Sequence, residues 1–352
     1  MSWITLHENN AESFDYIGLG ALADCTRCTV SEELNGVYEC EFVYPTSAIY
    51  ADEIKEGRIV KVKTHMPDDQ LFRIMSVSAT MTNSIRAKAV HISYDLTGSV
   101  LPPSTISGTV QQILTYILNH GIYDCGFTGS TDKTISGTIS NNIPQPVRSM
   151  LLGVQGSVLQ KLGGEYEFNN KTVILHNNRG TDNGLRLRVG YNLQDYVEES
   201  GIDNTYTHVY PYARYTPEGG VESVICLSDG VIAITSPYDI GVEKVKLLDL
   251  SDKFQGGTTV TEQQLRDAAN AFILENHPGQ LATNIKYTWN TESDNTPINL
   301  GDTVKVYGSD GVIATAKIVK VRYDSLMERP LSIELGKVKQ SLTQELKQAI
   351  GR

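Results

Sequence analysis

Cys125 stands in the run YDCGFTG (123–129), a setting in which a thiol could serve as a nucleophile. Such a cysteine needs its thiolate stabilised, ordinarily at a helix N-terminus with a histidine partner. Gly126, Gly129 and the polar run STDKTISGT follow it, and they predict strand and loop instead of helix. The nearest downstream histidine, His176, falls on a predicted strand beside two asparagines, with no evident orienting carboxylate. Two further clusters invite chemistry. Residues 162–184, LGGEYEFNNKTVILHNNRGTDNG, gather four glycines with His176, Arg179 and Asp182, the ingredients of a phosphate-cradling or catalytic loop. Cys25 and Cys28 form a C-x-x-C, half of a zinc site or a redox pair.

Each cluster has a plainer reading. In 162–184, Gly163-Gly164 closes a predicted helix, and Tyr166 and Phe168 then alternate with Glu165 and Glu167. Asn169-Asn170 turns the chain, Val173 and Leu175 run back, and 177–184 is a polar loop before the strand that begins at Leu185. No helix start follows to hold a phosphate. The stretch is a hairpin. Asn35, Gly36, Gly163, Gly164, Asn169, Gly180 and Gly184 are therefore expected to act as structural turns, with φ > 0 wanted at Gly163, Gly164 and Asn169. The C-x-x-C lies in a β-like run, ALADCTRCTV, where its spacing places the two thiols on opposite faces. No second cysteine pair follows at zinc-finger spacing. Cys125 reads as a structural cysteine.

The motifs H-E-x-x-H, G-x-S-x-G and G-x-x-x-x-G-K-[ST] are missing, as is G-x-G-x-x-G in a strand–helix context. The 7 histidines are scattered singly, and with 41 Asp+Glu some carboxylate pairs arise by chance. The expectation is no catalytic site, no cofactor and no metal. The 41 acidic residues against 30 Lys+Arg give a net charge of −11 with no basic run. Tight nucleic-acid binding is disfavoured, although passage of DNA past an acidic wall is not. The 5 cysteines, an odd number thinly spread, suit reduced thiols. No apolar run is long enough to span a membrane, and MSWITLHENN lacks the basic-then-apolar pattern of a secretion signal.

The first hundred residues read as β-structure. A hairpin is expected at Asn35-Gly36, followed by strands in 38–44, 58–65, 71–79 and 84–93, and Leu101-Pro102-Pro103 marks a boundary. A helix follows, with Ser107 as its expected N-cap and a stripe of Val110, Ile113, Leu114, Ile117 and Leu118. Pro146 fits the first turn of a second helix, broken at 153–156 and restarted at Ser157. Strands return from Leu185 to about Tyr215. Thr261 and Gln264 form a capping box for a later helix, and the tail holds strands at 302–307, 313–323 and 328–336. An internal echo links the two ends. Residues 57–77, GRIVKVKTHMPDDQLFRIMSV, and 301–321, GDTVKVYGSDGVIATAKIVKV, share G-x-x-V-K-V and then a basic residue before I-x-x-V. The offset is 244 at both points (301 minus 57, and 317 minus 73). Two generic strand pairs could share such an alternation; the sharper reading is two similar β-barrels in one chain, the second split by an insertion.

Residues 157–199 carry a G-G-E-x-E-F-[DN]-N hairpin, an R-G-x-D-N-G loop and a G-x-N-L strand. In these motifs, and in ELNGVYECEF (33–42), NTYTHVYPYA (204–213) and YDSLMERPLSIELG (323–336), the chain resembles the tail-associated hub proteins of phages and prophages of Gram-positive bacteria. The resemblance implies a mainly β fold with α/β parts: a first β-barrel at 1–98, an α/β domain at 99–184 and a second, split barrel at 185–215 plus 300–339. An inserted domain would occupy 216–299, with a C-terminal helix at 340–352. It also implies a structural, non-enzymatic role at the virion tail tip. A homotrimer would form a six-unit ring on a hexameric distal tail protein and tail tube, around the channel used by DNA. A tail fibre or lysin module would be a further partner. Members of the family often carry a C-terminal hydrolase or receptor-binding module, and this chain stops at Arg352, after the last barrel strand and a short helix. Two other classes remain open: a peptidoglycan hydrolase using Cys125 or a carboxylate pair, and an adhesin binding surface glycan through 216–300.

Overall fold

The computed structural model describes residues 4–79, 81, 83–154, 156–188, 193–202, 205–217, 220, 221, 223–235, 237–254, 259–276, 278, 279, 282–289, 298–308 and 311–336. The helix expected at 340–352 lies outside them. The chain divides into two units, one of residues up to 197 with 286–336, the other of 198–285.

The first unit is built on alternation. Strand β1 (Thr5–His7) is followed by β2 (Arg27–Glu33), β3 (Tyr38–Pro45), β4 (Ile59–Val62), β5 (Gln70–Ala79) and β6 (Ser84–His91). In β3, Tyr38, Cys40, Phe42 and Tyr44 are buried while the residues between them are not, as a period of two requires. Helix α1 (Val110–Asn119) buries the expected stripe of Val110, Ile113, Leu114, Ile117 and Leu118. It packs on the strands Ser104–Thr109 and Thr128–Thr131. Its cap is not Ser107. Thr109 accepts from the Gln112 N–H, and Gln112 returns a bond to the Thr109 N–H, a reciprocal box that Ser107, followed three residues later by Val110, cannot make. Ser107 instead lies in a strand with its hydroxyl 2.9 Å from that of Thr138. Two short helices follow, α2 (Val147–Leu151) and α3 (Val158–Leu162), the latter capped by Ser157. The hairpin β7 (Glu165–Asn169) and β8 (Thr172–His176) comes next, then β9 (Arg186–Arg188) and β10 (Leu193–Gly201). Strand β11 (Ala282–Trp289) leads back into the first unit, and β12 (Thr303–Gly308), β13 (Gly311–Asp324) and β14 (Arg329–Gly336) follow.

The hairpin β7–β8 forms a separate three-stranded sheet with Thr128–Thr131; the other numbered strands join with Gly20–Ala21 in one 13-stranded sheet, curled as a half-barrel. Its order contains the same five-strand series twice: β2-β3-β6-β5-β4 and β10-β11-β14-β13-β12. The echo in the sequence is an echo in register. Ile59 pairs with Arg73, and Thr303 with Lys317; Val60 pairs with Phe72, and Val304 with Ala316; Val62 pairs with Gln70, and Val306 with Ala314. The Gly57 N–H donates to the Ile74 carbonyl, and the Gly301 N–H to that of Ile318, each at 2.8 Å. A bulge falls between Ile74 and Ser76 in one series and between Ile318 and Lys320 in the other. Val60, Val62, Val304 and Val306 are all fully buried. The series part company at one strand: β1 runs antiparallel to β4, whereas β9 runs parallel to β12. The two series are fused edge to edge, because the second half of β13 pairs with β2 (Val321 opposite Glu32, Tyr323 opposite Val30).

The second unit has a sheet centred on the strand His208–Tyr215, which pairs with Ser223–Cys226, Ile232–Ala233 and Val245–Asp249. Helix α4 (Glu262–Asn276) packs on it and buries Leu265 and Ala269. Thr261 and Gln264 form the capping box, with bonds of 2.9 and 3.3 Å.

Candidate functional site: an ionic joint around Arg179

The hairpin β7–β8 is a clamp. Its connection is Asn170-Lys171, since Asn169 still pairs with Thr172. The positive φ therefore falls on Asn170 (+49°) and not on Asn169, where it was expected. Asn169 keeps extended strand geometry and turns its side chain outward, accepting from Gln70 Nε2 at 2.9 Å. The Asn170 N–H donates to Gln70 Oε1, and its side-chain oxygen accepts from the Leu71 N–H, both at 2.9 Å. At the other end Asn35, itself at φ +55°, accepts from the Tyr166 N–H at 2.8 Å and donates to the Gly164 carbonyl at 3.1 Å. Gly36 is not in the left-handed region, whereas Gly163 (+62°), Gly164 (+114°), Gly180 (+82°) and Gly184 (+80°) are. Asn35 is thus both a turn and a bracket between β2 and β7.

The loop that follows holds the second series. A Cβ on Gly180 would lie 2.1 Å from the Gly301 carbonyl carbon, so only two glycines can pass here. The Asp302 carboxylate accepts from the Thr181 N–H at 2.9 Å and from Asn183 Nδ2 at 3.0 Å. Asp182, which looked like a catalytic or phosphate-site residue, pairs with Lys305 at 3.4 Å.

Arg179 lies at the centre. Its Nη1 donates to Glu32 Oε1 at 2.6 Å and to the Tyr166 carbonyl at 3.1 Å, and its Nε is 3.6 Å from Glu167. Its own N–H donates to Glu165, which also accepts from Lys317 of β13. His65 Nε2 lies 3.2 Å from the other Glu32 oxygen. Arg179 and Glu32 are 5% and 3% exposed, which leaves no route for a substrate. Burial works against the Arg179 charge, but Glu32 and Glu167 outweigh it and hold the guanidinium protonated. For His65 burial wins, and its pKa is lowered despite Glu32. The arrangement is a buried ionic joint whose members come from β2, the 63–69 loop, β7, the 177–184 loop and β13.

The remaining candidates do not converge on a reaction. His176 does have carboxylate partners, Glu167 at 3.1 Å and Asp132 at 3.6 Å. Sequence reading missed them because one is a cross-strand diagonal neighbour and the other comes from a distant loop. The Glu167 hydrogen bond raises the His176 pKa against the effect of burial, and the same bond lowers that of Glu167. Such a histidine holds its proton as half of an ion pair. The Cys125 thiol faces the carbonyls of Asp95 and Tyr123 at 3.9 and 3.7 Å, and burial with Asp95 and Asp124 raises its pKa, the reverse of nucleophile activation. Cys25 is pushed up to about 12 by burial, and Cys28 faces Cys40 at 3.6 Å instead of its C-x-x-C neighbour. Among the described residues no group of three or more His, Cys, Asp or Glu side chains is placed to hold a metal ion, and no helix is long and apolar enough to cross a membrane.

Solved tail proteins share this fold. The chain is similar over its whole length to the prophage tail protein gp18 of Listeria monocytogenes EGD-e, with 17% identity, full coverage of both chains and a TM-score of 0.60. It is similar to the tail protein of Neisseria meningitidis MC58, at 13% identity and a TM-score of 0.59 over 95% of this chain and 96% of that one. It is also similar to the 43 kDa tail protein of prophage MuSo2 from Shewanella oneidensis, at 12% identity and a TM-score of 0.59 over 96% and 98%. No protein-family model and no curated protein sequence matches the chain.

Proposed function

We propose that the chain is a structural hub at the tip of a phage or prophage tail. Three copies would form a ring of six barrel-like units that closes a hexameric tail tube and surrounds the DNA channel. The observation that carries this reading is the duplicated five-strand series with its matched register and bulge, in a chain whose fold is that of tail proteins. Two similar units per chain let a three-fold assembly offer six similar surfaces to a six-fold partner. The Arg179 joint then has a mechanical role, holding the two series of one chain at a fixed offset. The remaining partners would be a distal tail protein on one side and a fibre or lysin module on the other, with DNA only in passage. Electron microscopy of the chain mixed with its tube partner tests this: three-fold rings capping tube ends are expected. Tube ends capped by a single copy, or by a six-copy ring, would sink it.

A further inference from the structure

Each five-strand series has an equivalent long strand, β5 in the first and β13 in the second. Along one edge β13 carries two neighbours in succession, β12 on its first half and β2 on its second. Along the matching edge β5 carries β4 on its first half, where residues 59–62 pair with 70–73. Its second half, Met75 to Ala79, pairs on that edge with no strand among the described residues. At the far end of the sheet β10, which holds in the second series the place β2 holds in the first, has β11 as its one neighbour among the described residues. The described residues thus show this pairing once within the chain and, once more, its two halves without each other.

We propose that the Met75–Ala79 edge of β5 receives β10 of a second copy of this chain, repeating between chains the contact that β13 makes with β2 within one. The proposal rests on the ring reading above and specifies its interface. Backbone directions fit. In β13 the edge facing β2 is formed by odd-numbered residues: the Val319 carbonyl accepts from the Leu34 N–H at 2.8 Å, and the Ser325 N–H donates to the Cys28 carbonyl at 3.0 Å. Their counterparts at the 244-residue offset are Met75, Val77 and Ala79. The Val77 N–H does point to that edge, where it meets the carboxylate of exposed Glu56 at 3.1 Å. Glu56 stands in for the missing strand and shields the edge from indiscriminate pairing. Burial marks the vacancy too. Val321 is fully buried and Tyr323 is 8% exposed where β2 covers them, whereas their counterparts Val77 and Ala79 are half-buried and exposed. Since β5 and β10 belong to different series, the contact is head-to-tail and repeats around a ring.

The test is hydrogen exchange on the full chain at low and high concentration, read beside its mass in solution. Assembly should slow exchange at least about tenfold in peptides covering 75–79 and 193–201 together, with 70–74 unchanged. Val77→Pro removes one edge N–H that no ladder bond uses, and should weaken association about tenfold or more while the melting temperature is kept. Glu56→Ala, which removes the stand-in acceptor, should strengthen it. Trimers that form without protection at 75–79 and 193–201 would overturn the edge pairing and leave the hub reading standing. A chain that stays monomeric at every concentration, with Glu56→Ala as well, would overturn the edge pairing as a self-contact even where tube-bound rings exist.

Discussion

Gly180 and Gly301 cross backbone to backbone: a methyl group on Gly180 would stand 2.1 Å from the Gly301 carbonyl carbon, and one on Gly301 would stand 2.5 Å from the Arg179 carbonyl oxygen. Both residues are in the left-handed region, at φ +82° and +89°. Steric overlap and backbone strain therefore act together at one point, between the loop that carries Arg179 and the corner that opens β12.

Gly180→Ala is expected to lower stability by about 2–4 kcal/mol, since the backbone must shift and the φ angle resists a side chain. Gly184 has the same sign of φ but no heavy atom within 4 Å of its would-be Cβ. Gly184→Ala should cost only about 1 kcal/mol. Urea denaturation of the two variants side by side checks the contrast. Equal losses would mean that φ alone, not the crossing, constrains Gly180.

Arg179→Ala is expected to destabilise the chain by about 3–5 kcal/mol, because Glu32, 3% exposed, would be left as a buried carboxylate without its partner. Glu32→Gln in the same chain should restore a large part of the loss, as the orphaned charge disappears. A double-mutant cycle measured by denaturation gives the answer. Additive losses would show that the 2.6 Å contact contributes nothing of its own.

How much of this was visible in the sequence depends on the range over which each signal acts. Strand alternation in Tyr38 to Tyr44 and the stripe from Val110 to Leu118 are local periodicities, and both appear as written. The repeat was legible because two copies of one local pattern can be compared without knowing what they touch. The partner of Arg179 was not. Glu32 lies 147 positions away, and nothing in the spacing of either residue points to the other. Asn35 carried a turn signal that hid its bonds to Gly164 and Tyr166. The C-x-x-C spacing likewise said nothing of the contact Cys28 makes, which is with Cys40 across a β-hairpin. Ser107 lost the cap because sequence reading weighed residue type at one position above the reciprocal partner three residues on.

Acid should destabilise the first unit through its buried histidines. His91 is fully buried, stacked on Tyr38 with ring centroids 4.4 Å apart, and bonded at Nδ1 to Ser93 and at Nε2 to Gln70. Burial, reinforced by nearby Arg148, holds its pKa well below the usual histidine value. His65 is shifted the same way, again chiefly by burial. Unfolding frees both rings to bind protons near the ordinary value of about 6.5, so below that pH the unfolded state binds more protons than the folded one. Stability must then fall as pH drops from about 6.5 toward the depressed folded values, by up to about 1.4 kcal/mol per pH unit for each group. His176 has the opposite sign: its raised pKa gives stability that is full below about 6.5 and lost as pH rises through the folded value. Its window lies above about 6.5, so the limb below that pH follows His91 and His65. Chemical denaturation at pH 7.5, 6.5, 5.5 and 5.0 should show the loss setting in below pH 6.5. His91→Asn should be less stable at pH 7.5, by about 1–3 kcal/mol from the lost packing and bonds, yet show a shallower acid slope. His176→Gln should remove the gain in stability between pH 7.5 and 6.5 and leave the limb below 6.5 unchanged. An acid limb of unchanged slope in His91→Asn would show that His91 is not among the groups whose protonation unfolds the chain.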